Sequence, residues 1–414
     1  MDNDNLYWIW LTQRRGLGAV GLRQLLNDFG SPASLYAAEA EALERAGIAP
    51  TVRNSLLDKD LSAARAVLAR CEERGVRVLT GADPAYPVRL RLQEDAPAVL
   101  YCKGTLPGEE RPLIGLVGAR KADADSLALA RRLGFEIAAC GGLVVTGMAK
   151  GVDARSAEGA LEAGGAVIGV LGCGPDIVYP RENAALFARV AEKGCLLSEY
   201  PPGVGPNARH FPVRNRLISA LSDGVVVVRA AEKSGSLITA RWAAEQGRDV
   251  YAVPGDPNDP LSRGCNALLR GGAFAAASGW DVLERYQFRY PGTVARAICP
   301  SEQAAGSRQQ AAGNAVAAEE AKTSPACRGG GPASRPVEGC RQPEAPAVRL
   351  DLSSLNSVQR QIVEALRGGP LQLDTLIDRL GLPAGQVLPQ LTLLQIKKII
   401  TQKPGKQYEL SGGL

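Results

Sequence analysis

Six short apolar runs between residues 112 and 253 constrain what this chain can fold into. Residues 112–117, 143–145, 166–171, 195–197, 225–228 and 250–253 are each strand-length and nearly free of charge. Helix-length stretches separate most of them, the amphipathic 126–139 among these. Strands that are apolar on both faces and alternate with helices belong to a parallel sheet covered on both sides. The expected fold class is therefore α/β, a doubly wound Rossmann-like parallel sheet. Ligands of such sheets bind at the carboxyl ends of the strands, where the loops gather.

At 414 residues the chain exceeds one ordinary domain, and composition divides it into four segments. Residues 1–75 are rich in Leu, Ala, Glu and Arg with helical spacing, as in Ala63, Ala64, Val67 and Leu68, and predict a helical domain. Residues 76–290 carry the alternating runs. Residues 291–350 are Ala, Gly, Pro, Ser and Gln, a composition that cannot offset its ordering entropy, and predict a disordered linker. Residues 353–414 regain periodicity as a small separate domain. There, 355–366 reads as an amphipathic helix, 375–380 as a short one stopped by Gly381, and 387–396 as a third. Residues 399–400 and 408–410 read as two strands around Lys403-Pro404-Gly405-Lys406. Pro389 falls at or within the third helix, whose interior it would break. Gln386 and Gln390 rather than arginines on that helix favour protein or phosphate contacts over major-groove readout.

Composition narrows the function classes. No apolar run approaches the roughly 18 residues that span a bilayer, and the acidic start MDNDNLYWIW lacks a signal-peptide profile. The expected location is the cytoplasm, with no membrane partner. Nine cysteines are scattered without a C-x-x-C pair, which leaves neither a zinc ribbon nor a thioredoxin-type motif. His210 is the single histidine. Gly118-Ala119-Arg120 is not a G-x-G-x-x-G turn and no G-x-x-x-x-G-K-[ST] loop occurs, which argues against a dinucleotide dehydrogenase or a P-loop ATPase. No cofactor, metal or catalytic residue is expected. The net charge of +5 suits a nucleic-acid partner, and many enzymes as well.

The informative residues lie in the loops. Thr146-Gly147-Met148-Ala149-Lys150-Gly151-Val152-Asp153 follows the second run, Gly172-Cys173-Gly174-Pro175-Asp176 the third, and Ser234-Gly235-Ser236-Leu237-Ile238-Thr239 the fifth. Glycine lets backbone N–H groups approach an anion, and a helix start supplies unpaired donors. Tight βα turns also need glycine on steric grounds, so any one loop reads either way. In His210-Phe211-Pro212-Val213-Arg214-Asn215-Arg216, the two arginines can bracket successive phosphates while Phe211 stacks on a base. The same string also reads as a surface helix start with a buried Phe and solvated arginines.

Taken in order, the chain resembles the DprA/Smf family of bacterial DNA-processing proteins. The matching stretches are Val117-Gly118-Ala119-Arg120, the loop from Thr146 to Asp153, Leu171-Gly172-Cys173-Gly174 with Asp176, and Tyr179-Pro180. Ser198-Glu199 before Pro201-Pro202-Gly203, Phe211-Pro212-Val213-Arg214-Asn215-Arg216, Ser234 through Ala240, and Val253-Pro254-Gly255 complete the series. The resemblance implies an extended Rossmann fold with a helical (helix-hairpin-helix or SAM-like) amino-terminal domain and a winged-helix carboxyl-terminal domain. It further implies a homodimer that binds single-stranded DNA in a basic pocket, protects incoming DNA, and helps load RecA during natural transformation and recombination. Arg120, Lys150, Phe211, Arg214 and Arg216 are the implied DNA contacts, with donors from Gly118, Thr146, Gly147, Gly151, Gly235, Ser236 and Thr239. Asn215 joins them as a contact or, with Asp153, as a brace of the loops. The family usually has serine at Thr146, glycine at Ala220 and glutamate at Arg229. Arg15-Gly16-Leu17-Gly18 resembles the hairpin of a helix-hairpin-helix, and a plain helix–helix turn accounts for it equally.

Two other function classes remain open from the residues. A nucleotide phosphoribohydrolase of the lysine-decarboxylase-like group would need P-G-G-x-G-T-x-x-E, but Trp242 stands three past Thr239, and Glu199 or Glu245 could serve only in a different geometry. A protein-assembly scaffold with incidental DNA contacts is the other.

Overall fold

The computed structural model describes residues 2–296 and, with short interruptions, 357–410. The expected linker beyond residue 296 lies outside the described residues. Two compact units, 1–323 and 324–414, divide the chain.

The first unit opens with six helices: α1 (Asp2–Thr12), α2 (Ala19–Phe29), α3 (Pro32–Ala37), α4 (Ala40–Arg45), α5 (Pro50–Leu57) and α6 (Ser62–Arg74). Local chemistry sets their ends. The Ser31 hydroxyl caps α3 by accepting the Ser34 N–H at 3.0 Å, with Pro32 in the first turn. Gly75, left-handed at φ 61°, stops α6. Between α1 and α2 the Arg15 N–H donates to Ser55 Oγ of α5 at 2.8 Å, so that donor of the turn is already engaged.

The sheet follows as β1 (Arg77–Thr80), α7 (Val88–Arg91), β2 (Val99–Gly104), β3 (Leu113–Val117), α8 (Ala124–Ala139), β4 (Leu143–Thr146) and α9 (Val152–Glu162). Next come β5 (Val167–Leu171), α10 (Ala184–Lys193), β6 (Cys195–Ser198), α11 (His210–Leu221) and β7 (Gly224–Val227). The unit ends with α12 (Ser236–Glu245), β8 (Asp249–Ala252), α13 (Arg263–Arg270), β9 (Phe274–Ala275) and α14 (Gly279–Leu283). The nine strands lie in the order β1-β2-β6-β5-β4-β3-β7-β8-β9. From β3 the chain winds outward through β4, β5 and β6, then returns to β7, β8 and β9 on the other side. All of these pair in parallel, and only β2 runs against its neighbours. The six expected runs are β3 to β8; β1, β2 and β9 extend the sheet beyond them.

Alternation along the strands fills two cores. Ile114 and Leu116 of β3 face α8, α9 and α10 through Leu133, Ala157 and Phe187. Leu113 and Val117 face α11 and α12 through Leu217, Ile218 and Ala240. A third core joins Ile9 and Trp10 of α1, Leu35 of α3 and Val67 of α6 to Val78 of β1 and to Val99 and Tyr101 of β2. The amino-terminal helices thus cover the outer end of the sheet. The six described cysteines are all buried and unbridged.

Asp223, just before β7, ties the amino edge of the sheet together. Its buried carboxylate accepts the Leu113 N–H at 2.9 Å and the Tyr290 hydroxyl at 3.0 Å. It also pairs with Arg89 of α7 at 3.0 Å and Arg289 at 2.9 Å. Packing continues past the expected boundary at 290: Val294 is buried and the Ala295 N–H donates to Cys140 O at 3.2 Å.

The second unit holds α15 (Ser357–Leu366), β10 (Leu371–Gln372), α16 (Leu373–Leu380), β11 (Ile400–Lys403) and β12 (Gln407–Leu410), with the strands antiparallel in the order β10-β12-β11. Ile362, Leu366, Leu376, Leu391, Leu394 and Tyr408 form its core. Two helices with this small sheet make the winged-helix arrangement. Val387, Gln390, Leu391 and Leu394 are helical, whereas Gln386, Pro389 and 404–406 lie outside the described residues. Among the described residues no helix is long and apolar enough to cross a membrane.

Removing Asp223 strands the buried Arg89 guanidinium. Asp223→Ala should lower unfolding free energy by about 3–5 kcal/mol. Arg289→Ala, whose partner keeps Arg89 and whose own side chain is more than half exposed, should cost under about 1 kcal/mol. Urea denaturation of the two variants measures both.

Candidate nucleic-acid interface

The chain reverses its winding direction between β3 and β7, so their loops diverge and leave a crevice. A cleft of about 570 Å³ occupies it. Gly118 and Arg120 reach it from the end of β3, Ala149 from the β4–α9 loop, Asp153 from the first turn of α9, and Ser234, Gly235, Ser236 and Thr239 from the start of α12. Phe211, Arg214 and Asn215 come from the first turns of α11. Eight of the expected contacts are therefore brought together: Gly118, Arg120, Phe211, Arg214, Asn215, Gly235, Ser236 and Thr239.

Their chemistry differs from one to the next. Arg120 is exposed and makes no ion pair among the described residues; its guanidinium lies 5.5 Å from the Phe211 ring centroid. Arg214 is buried at 4% exposure. Its Nη1 donates to Gly147 O at 2.9 Å and to Val170 O, and its Nε donates to Asn215 Oδ1 at 3.2 Å. Burial lowers the Arg214 pKa to about 10, which leaves the group charged at neutral pH. Burial likewise pushes the Asp153 carboxyl up, with the Arg214 charge drawing it back. Asp153 is the one carboxylate lining the cleft among the described residues. The Asn215 amide donates to Gly235 O at 3.3 Å and so holds the α12 loop, as a brace would. Gly235 and Ser236 begin a ten-residue helix whose dipole favours an anion, although the Leu237 and Ile238 N–H groups already donate to Ser234 O at 3.1 Å and Gly235 O at 3.2 Å.

Five expected contacts fall elsewhere. Arg216 is turned away: two positions along a helix is a rotation of ~200°, and its guanidinium forks onto Glu199 at 2.9 and 2.7 Å and reaches Asp95 at 3.4 Å. It holds α11 to β6 and does not bracket a phosphate with Arg214. Lys150 lies on the surface, paired with Glu182 at 2.5 Å. Thr146 is fully buried, its hydroxyl directed at Asp153 O at 3.5 Å. Gly147 packs beneath the Arg214–Asp153 pair, where a Cβ would sit 2.7 Å from Arg214 Nη2 and 2.8 Å from Asp153 Oδ2. Gly151, at φ 77°, caps α9 against the carbonyls of Ala119 and Arg120. These two glycines shape the floor without facing the cleft.

Of the departures from the family pattern, Arg229 has its own set of partners. It pairs with Asp123 at 3.6 Å and Asp259 at 3.3 Å, and donates to Ser126 Oγ at 2.7 Å. Tyr179, Pro206, Ala208 and Ile238 also line the cleft and were not expected there. The dipeptide Tyr179-Pro180 was visible in the sequence, but nothing local shows that its ring meets Phe211. No group of three or more His, Cys, Asp or Glu side chains among the described residues could hold a metal ion.

A family model for DNA recombination-mediator protein A matches residues 77–287, and one for the DprA winged helix domain matches 343–406. DNA processing protein DprA of Bacillus subtilis is 44% identical over 220 residues, which are 53% of this chain and 74% of that protein. Protein Smf of Synechocystis is 29% identical over 426 residues, 99% of each chain. The X-ray structure of DNA processing protein A from Streptococcus pneumoniae aligns with a TM-score of 0.59 at 32% identity, covering 67% of this chain and 97% of that one.

The Arg216–Glu199 fork predicts a pH signature. Burial raises the Glu199 pKa and Arg216 lowers it. Arg216→Ala removes the lowering influence, so the carboxyl titrates higher in the folded state than in the unfolded one. Stability of that variant then falls as pH rises through the carboxyl's folded pKa. Its deficit against the parent should be larger at neutral pH than in acid, where protonation removes the uncompensated charge. Urea midpoints at the two pH values measure it.

Proposed function

The chain belongs to the DprA/Smf family of DNA-processing proteins, and from that premise we propose that its cleft binds the phosphates and bases of single-stranded DNA. One observation carries the reading: the uncommitted Arg120, the buried Arg214, the start of α12 and the half-buried Phe211 ring all converge on one crevice at the winding reversal. Cations and helix donors take phosphate, and an aromatic face takes an unstacked base. Arg120 makes the adaptable phosphate contact, whereas Arg214 supplies fixed charge from the floor.

The protein works by binding rather than by turnover. Trp242 stands where the related phosphoribohydrolase loop has its acid. In this reading it acts in the cytoplasm as a homodimer, protects incoming DNA, and helps load RecA during natural transformation and recombination. The family supports these roles.

A fluorescent oligonucleotide titration tests the cleft. Binding should need neither nucleotide nor metal. Arg120→Ala should weaken binding to all sequences alike and flatten the slope of log K against log salt by about 0.7. Phe211→Ala should lose roughly 1–3 kcal/mol of affinity with the slope nearly unchanged. Its melting temperature, read alongside, separates stacking from a core role, which would cost the fold about 3–5 kcal/mol. Parental affinity in Arg120→Ala would refute the assignment. With RecA from the same organism, the protein should speed filament assembly on strands already coated by single-strand-binding protein.

A further inference from the structure

The cleft is chemically uneven along its length. In the sheet β5, β4, β3 and β7 are consecutive neighbours, so the ends of β5 and β7 lie about 14 Å apart at a spacing of about 4.8 Å per strand. Over β7 sit the hydroxyls of Ser234 and Ser236 and the opening N–H groups of α12. Over β5 the walls are rings: Phe211 packs on Gly172, the residue after β5, where a Cβ would stand 2.9 Å from Phe211 Cδ1. Tyr179 lies beside it, its ring centroid 5.6 Å away and tilted by 31°.

Tyr179 is 42% exposed. Its hydroxyl makes no hydrogen bond among the described residues, and the contact with Phe211 is the ring contact it makes. A base slipped between two rings needs two stacking steps of about 3.4 Å, roughly 7 Å in all. At 5.6 Å the two rings cannot form such a slot. They form one broadened aromatic surface instead, with the Arg120 guanidinium over its Phe211 half.

Resting on the DNA reading above, we propose that Tyr179 is a second base-stacking surface: with Phe211 it receives an unpaired nucleobase at the β5 end of the cleft, while the adjoining phosphate lies toward α12. A stacked base in a duplex has both faces covered by its neighbours and cannot use this surface. Tyr179 therefore favours single strands over double strands without reading sequence.

The test uses the full chain and two labelled oligonucleotides of equal length, one oligo-dT and one abasic. Tyr179→Ala should weaken oligo-dT binding roughly 5- to 150-fold, with an unchanged salt slope. On the abasic strand it should match the parent. Tyr179→Phe should retain oligo-dT affinity, because the ring and not the hydroxyl makes the contact. Tyr179→Leu should lose most of what the alanine variant loses. An equal loss on both strands, or parental oligo-dT affinity in Tyr179→Ala while Phe211→Ala is weakened, overturns this proposal and leaves the DNA reading standing. Failure of the parent protein to bind either strand overturns both.

Discussion

A guanidinium withdrawn from water costs several kcal/mol unless its N–H groups find acceptors. At Arg214 those acceptors are Gly147 O and Val170 O, from the loop after β4 and from β5 itself, with the Asp153 carboxyl close by. One side chain of α11 therefore fixes the start of α9, the end of β5 and its own helix relative to one another. The β4–α9 and β5 sides of the cleft are referred to that point, and Asn215, the next residue, holds α12 through Gly235. The charge at the floor is consequently set in place by the fold, not drawn in by a ligand.

The same helix is also anchored on its far side. Arg216 forks onto Glu199 and reaches Asp95, so α11 is clamped between a cleft face and a structural face only two residues apart in sequence. Two arginines of similar appearance thus do different work. Arg214 presents charge while bracing carbonyls, and Arg216 pairs with a carboxyl whose pKa burial raises and the guanidinium draws back. The exposed Arg120 makes no ion pair among the described residues and lies 5.5 Å from the Phe211 ring centroid.

The strands β3 to β7 were legible because each is buried on both faces and reads as an apolar run, and β8, half-buried at Asp249 and Val250, was legible through 250–253. Strands β1 and β2 were not: Arg77 is exposed, Lys103 and Gly104 end β2, and the pairing is antiparallel, outside the βα alternation. Of the glycine-rich loops, Gly118, Gly235 and Ser236 line the cleft. Those loops misled at Gly147 and Gly151, which serve close backbone packing rather than a ligand. Arg216 could have been separated from Arg214 by helical rotation alone. Its partners, 17 and 121 residues away, could not have been read from the sequence. Tyr179 stands within a sequence motif, but the ring it meets, Phe211, lies 32 positions later in the chain.

The third core has a bearing on how the chain tolerates division. Val78, Val99 and Tyr101 have their outward faces covered by α1, α3 and α6 rather than by other parts of the sheet. The terminal strand β1 has a partner on one side only, β2. Cutting the chain at residue 76 would bare an apolar flank beside the terminal edge of β1, a combination on which another copy could add its own strand. The amino-terminal helices thus keep that apolar flank out of water, whatever else they contact.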